Sequence, residues 1–98
     1  MALMQLTIIP LGTGSTSVGD FVAAFQKSLA CTQFAFTLTD MGTIIEGEVG
    51  DLLTIAARLH ELPFEQGVQR VVTQISIDDR RDKKICLGDK VKSIQHRL

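Results

Sequence analysis

The densest group of side chains able to do chemistry is the run Gly12-Thr13-Gly14-Ser15-Thr16-Ser17, preceded by Pro10-Leu11 and followed by Val18-Gly19-Asp20. It sits between an apolar extended segment and the start of a helix. The first N–H groups of a helix are unpaired and its dipole is positive there, so such a junction can hold an anion or a polar ring. The run begins like a GxGxxG dinucleotide fingerprint, but its sixth position is Ser17 and no parallel βαβ setting follows. It also lacks the Gly-Lys-Ser/Thr ending of a phosphate loop. Nucleotide binding is disfavoured. What stays open is a structural turn that caps the helix, or a set of hydroxyls on the rim of a small-molecule site.

Elsewhere the reactive side chains do not assemble into a catalytic group. No Ser or Cys has a His at an interpretable spacing, and no carboxylate pair has a neighbour that would separate the two acidities. No catalytic residue is assigned and no enzyme is expected. Cys31 and Cys86 match neither a CxxC redox pair nor a zinc-ligand pair, and read as free thiols of a reducing compartment. His60 and His96 fall on separate predicted helices without ligand partners nearby, so neither a metal nor a cofactor is expected. The run Asp78-Asp79-Arg80-Arg81-Asp82-Lys83-Lys84 has mixed signs. It reads as a solvated loop whose ion pairs contribute roughly 0–1 kcal/mol each, or as a set of salt bridges across a symmetric subunit interface.

These residues belong to one domain spanning 1–98, because 98 residues support a single modest core. Hydrophobic residues make up 45% and charged residues 21%, which is ordinary for a folded protein, and with five Phe and no Trp or Tyr the core must be largely aliphatic. A net charge of −1 gives no basis for nucleic-acid binding. No apolar run approaches the roughly 20 residues of a membrane span, and the N-terminus lacks a signal-peptide pattern, so a cytoplasmic location is expected.

The elements that position the residues follow from periodicity. Leu3–Leu11 alternates, with Met4, Leu6 and Ile8 on one face and Gln5, Thr7 and Ile9 on the other; Pro10 is expected to end its ladder. Ser17 to Asp20 fits a capping box that opens a helix near Val18, whose stripe is Val18, Phe21, Val22, Phe25 and Leu29. Phe34–Thr39 and Thr43–Val49 are strands joined by the short turn Asp40-Met41-Gly42, which predicts an antiparallel hairpin, and Gly47 suggests a bulge or a close backbone approach. Asp51 is expected to cap a second helix with the stripe Leu52, Ile55, Ala56 and Leu59, kinked or interrupted at Pro63 and closed by Gly67. Arg70–Ile77 is the fourth strand, and Leu87, Val91, Ile94 and Leu98 mark a short C-terminal helix.

The order predicts an α+β, ferredoxin-like βαββαβ sandwich: a four-stranded antiparallel sheet, order 4-1-3-2, with two helices on one face plus the C-terminal helix. The other face would carry Gln5, Thr7, Thr37, Thr39, Glu46, Gln74 and Ser76 mixed with Ile9, Ile44 and Val72. That mixture is too polar for a core and too apolar for plain solvent, and suggests a partner subunit, a ligand or both. Acylphosphatases share this topology but use asparagine, and the sequence contains no Asn. An RNA-recognition module would need aromatic residues on its central strands, and strands one and four contain none.

Three segments taken together carry a resemblance: Pro10–Val18, Met41-Gly42-Thr43-Ile44-Ile45-Glu46-Gly47-Glu48, and Arg70–Lys83. They resemble the small thiamine-binding proteins of the YkoF-like family, in the same order and over nearly the whole chain; Pro63 departs from the unbroken second helix of that pattern. The resemblance implies homodimers or homotetramers that bind thiamine or its pyrimidine moiety without catalysis. Thiamine carries a cationic thiazolium, an aminopyrimidine and a hydroxyethyl tail, so its site needs a carboxylate or carbonyl, hydroxyls and apolar walls. Glu46 is the favoured carboxylate, on the open face beside Ile44, with Thr43 at the start of the same strand. Ser15, Thr16 and Ser17 would supply hydroxyls, and Thr7, Thr37 and Thr39 would line the same face. The alternative is a regulatory or assembly module that binds another small metabolite or a protein partner.

Overall fold

Period-two alternation builds the sheet, and helical stripes cover one side of it. In the computed structural model, which describes residues 1–12, 19–84 and 86–98, the elements run β1 (Ala2–Leu11), α1 (Gly19–Ala30), β2 (Ala35–Thr39), β3 (Gly42–Gly47), α2 (Val49–Glu65), β4 (Arg70–Asp79) and α3 (Asp89–Arg97). The four strands form one antiparallel sheet of order β2-β3-β1-β4, the predicted order read from the other edge.

The core lies between the sheet and α1 with α2. Ala2, Met4, Leu6 and Ile8 of β1 and Ile45 of β3 meet Phe25 and Leu29 of α1 and Leu52, Ile55, Ala56 and Leu59 of α2. Both predicted helical stripes face this core, although Val18 lies outside the described residues. Burying each of the larger aliphatic side chains contributes about 1.5–3 kcal/mol. Register places Gln5, Thr7, Ile9, Thr37, Thr39, Ile44, Glu46, Val72, Gln74 and Ser76 on the opposite face, as alternation predicts.

Five local expectations change. Pro10 does not end the ladder: it pairs with Val71, and Leu11 with Arg70. The β1–β3 register stops at Leu6–Thr43, so among the described residues one side of β1 has no strand beyond it and a residue without an N–H is tolerated. Gly47 is neither a bulge nor a backbone crossing; it pairs in register with Ala2, and a Cβ there would lie 2.9 Å from the Phe34 ring. The cap of α2 is Glu48, without a side-chain cap bond, because the helix starts before Asp51, which instead puts a carboxylate in the first turn. Pro63 does not interrupt α2. The helix runs on to Glu65, and the fully buried ring sits in the last turn. Gly67, at φ +90°, then closes it as predicted, with Gly67 N–H donating to Phe64 O (3.1 Å) and Val68 N–H to Pro63 O (3.1 Å). Finally, the mixed-charge run is not wholly a loop, since Asp78 and Asp79 extend β4 opposite Leu3 and Ala2. The expected capping box at Ser17 lies outside the described residues.

Candidate functional site

The ten residues of β1 outrun the six of β3, and the mismatch opens the sheet. Past Leu6, β1 is paired only with β4, and the vacant side is closed by α1 and the β2–β3 turn. The result is a cleft of about 410 Å³, within the roughly 300–1,000 Å³ of small-molecule sites. Its walls are mainly apolar, with Ile9 of β1, Val22 and Phe25 of α1 and Leu38 of β2 prominent. Polar groups enter at Thr7, Thr39, Asp40, Thr43 and Gln74, and Asp40 is the one charged residue among the described lining.

The turn that forms the rim is tied to β1. Met41 O accepts hydrogen bonds from Thr7 Oγ1 (3.1 Å) and Gln5 Nε2 (3.2 Å), while Thr39 Oγ1 donates to Gly42 O (2.8 Å) and accepts from Met41 N–H (3.2 Å). This closeness requires glycine at position 42. Its φ is +140°, and a Cβ there would stand 2.6 Å from Thr7 Oγ1 and 2.9 Å from Leu6 O. Deeper in, Thr43 is only 8% exposed and its Oγ1 accepts from Gln26 Nε2 (3.1 Å). Thr43 thus keeps its own hydroxyl proton to donate, and Thr7 keeps lone pairs to accept. A hydroxyl donor, a hydroxyl acceptor and a carboxylate on apolar walls suit a flat, nitrogen-rich and positively charged ligand.

Of the predicted residues the structure brings together Thr7, Thr39 and Thr43. Ser15, Thr16 and Ser17 lie outside the described residues. Gly12, the first residue of their run, has φ +68° and lines a separate hollow with Leu11, Gly67, Gln69 and Arg70. Thr37 is exposed on the open face opposite Ile44 and is not among the cleft's lining residues. Glu46 is likewise outside that lining. It is half-buried on the open face, and its Oε1 accepts the N–H of Leu87 (3.1 Å) from the segment leading into α3. Desolvation, then the hydrogen bond to Glu46, push the Cys86 thiol above the ordinary cysteine range. Lys90 pairs with Asp78 (2.8 Å) on the same side, so the C-terminal segment folds back across the open face.

Spacing does not single out Asp40 or Gln26, whereas alternation places Gln74 on the open face. A turn aspartate has the same sequence signature whether it merely bends the chain or rims a cleft; the usable signal was the unequal length of the first and third strands. His60, read as a surface histidine, is half-buried on α2, with Nδ1 2.6 Å from Thr73 Oγ1 and its ring against Phe64. Among the described residues no group of three or more His, Cys, Asp or Glu could hold a metal, both cysteines are free, and no helix is long and apolar enough to cross a membrane.

Known proteins share this shape and sequence pattern. The profile of the family described as "Thiamine-binding protein" matches residues 4–95. The UPF0045 protein YqgV of Bacillus subtilis is 46% identical over 102 residues, covering 100% of this chain and 98% of its own. A UPF0045 protein of Methanothermobacter thermautotrophicus is 38% identical over 99 residues and is covered along its whole length. The crystal structure of the hypothetical protein MJ1052 from Methanocaldococcus jannaschii superposes with a TM-score of 0.85 at 29% identity, covering 96% of this chain and 95% of its own. The Thermotoga maritima protein TM0486, whose crystal structure was described under a proposed role in thiamine biosynthesis or salvage, shares the fold, with a TM-score of 0.78 at 17% identity over 95% and 97% of the two chains.

Proposed function

This chain belongs to the thiamine-binding protein family, and from that premise we propose that it binds thiamine, or the pyrimidine moiety of thiamine, in the cleft beside the β2–β3 turn, as a homo-oligomer in the cytosol and without catalysing a reaction. The observation that carries the reading is the cleft's chemistry. Its described walls are apolar, its polar groups are hydroxyls and one amide, and its single charge is the carboxylate of Asp40. A cationic thiazolium gains from that carboxylate, and an aminopyrimidine can place its ring between Val22, Phe25 and Ile9 while exchanging hydrogen bonds with Thr7 and Thr43. Ser15, Thr16 and Ser17 are assigned to the rim on sequence grounds. In this reading Glu46 serves the C-terminal segment rather than the ligand.

The homo-oligomer is supported by the half-apolar open face and by α3, none of whose residues is buried and whose Val91 and Ile94 are 60% and 53% exposed. Among the described lining residues no nucleophile–base pair occurs, which fits binding rather than turnover.

Calorimetric titration with thiamine, its phosphates and hydroxymethylpyrimidine tests the proposal. Heat with at least one of them is expected, with Asp40→Asn weakening binding about fivefold or more, the scale of a charge-assisted contact. Glu46→Gln should change affinity less than twofold, on the order of 0.4 kcal/mol. A loss confined to Glu46→Gln would move the site to the C-terminal corner, and no heat from any of the ligands at millimolar concentration would contradict thiamine binding. Light scattering should give a mass of at least twice the 10.7 kDa chain.

A further inference from the structure

The hollow at the end of the sheet, lined among the described residues by Leu11, Gly12, Gly67, Gln69 and Arg70, has a volume of about 340 Å³ and a different chemistry from the cleft. Gly12 and Gly67 have φ of +68° and +90°, and a Cβ on either would meet nothing within 4 Å, so a ligand can approach their backbone closely. Arg70 is exposed, makes no ion pair among the described residues and is the one charge of the described lining. The carbonyls that end α2 beside it are already occupied: Phe64 O accepts from Gly67 N–H, and Pro63 O from the N–H groups of Gln66 and Val68. A guanidinium without a counter-charge, next to the Gln69 amide and open backbone, suits an oxyanion that can accept two parallel bonds from its fork.

The hollow continues the path of the cleft. Thr7, Ile9 and Leu11 are successive open-face positions of β1, and Gln74, Val72 and Arg70 stand opposite them in β4. Thr7, Ile9 and Gln74 line the cleft, whereas Leu11 and Arg70 line the hollow. The step from Ile9 to Leu11 is about 7 Å along the strand. The charges of the two sites are opposite: the cleft carries the Asp40 carboxylate and the hollow the Arg70 guanidinium. One elongated ligand lying along β1 would therefore meet apolar walls and a carboxylate at one end and a cation at the other.

We propose that the hollow is a phosphoryl subsite, and that the ligand of this chain is a phosphate monoester whose aromatic head lies in the cleft while Arg70 holds its phosphoryl group. This rests on the reading of the cleft as the ring-binding site, and it names the form of the ligand. Two sources share the chemistry. In hydroxymethylpyrimidine phosphate the ester stands one carbon from the pyrimidine; in thiamine monophosphate it ends the two-carbon tail of the thiazolium. In either, the phosphoryl oxygens gain a charge-assisted contact that the free hydroxyl of the parent compound lacks.

Calorimetry on the wild-type chain and on Arg70→Gln tests the subsite, with thiamine, thiamine monophosphate, hydroxymethylpyrimidine and hydroxymethylpyrimidine phosphate titrated at one ionic strength. At least one ester should bind about tenfold or more tighter than its unphosphorylated parent, the scale of a hydrogen bond to a charged group. Whichever ester gains identifies the source. Arg70→Gln should abolish that advantage while leaving the affinity of the parent within about twofold and the melting temperature unchanged, because Arg70 is exposed and makes no ion pair among the described residues. Arg70→Lys, which keeps the charge but not the fork, should retain only part of the advantage. Esters that bind no tighter than their parents, or an advantage that survives Arg70→Gln, would overturn the subsite and leave the reading of the cleft standing. No heat from any parent or ester at millimolar concentration would overturn both.

Discussion

At the scale of single residues, the candidate site depends on how closely the hairpin turn approaches β1. Gly42 permits that approach, and Thr7 and Gln5 hold it through Met41 O. Gly42→Ala is therefore expected to destabilise the fold by about 1–3 kcal/mol, the usual cost of a side chain in a glycine-only conformation, as read from urea unfolding. Gly50→Ala, where a Cβ would meet nothing within 4 Å, should be neutral or mildly stabilising. The sequence marks Gly42 as a turn residue and Thr7 as an open-face residue, but not that the two touch. Glu46 shows the same limit. Alternation places it on the correct face, yet its Leu87 partner lies 41 positions away, and no local pattern reports a contact of that separation.

At the scale of elements, strand alternation and helical stripes are sufficient for all seven elements and, with right-handed crossovers, for the sheet order, because the strands, α1 and α2 share one core. What they did not contain was extent. β1 continues through Pro10, α2 through Pro63, and β4 through Asp78 and Asp79. In each case tertiary pairing or burial outweighs a residue type that ends elements in isolation. These extensions matter for the site, since the excess of β1 over β3 is what creates the cleft. α3 is the opposite case: its amphipathic pattern is clear in the sequence, yet none of its residues is buried among the described residues. Val91→Asp is accordingly expected to leave the circular dichroism spectrum intact while lowering the mass seen in light scattering. An unchanged mass would remove α3 from the assembly.

At the scale of the molecule, the radius of gyration is 14.7 Å, against about 13 Å for a compact domain of this length. The extents of 45 × 31 × 21 Å describe a flattened, elongated subunit. With a net charge of only −1, self-repulsion gives little opposition to association. The central claim concerns the cleft between β1, α1 and the hairpin turn, and the most direct measurement is a titration of the ¹⁵N-labelled protein with thiamine followed by amide chemical shifts. The account predicts the largest, saturable shifts at Thr7, Asp40, Met41, Gly42 and Thr43. Saturable shifts centred instead on Glu46 and Leu87, or none at millimolar thiamine, would contradict it.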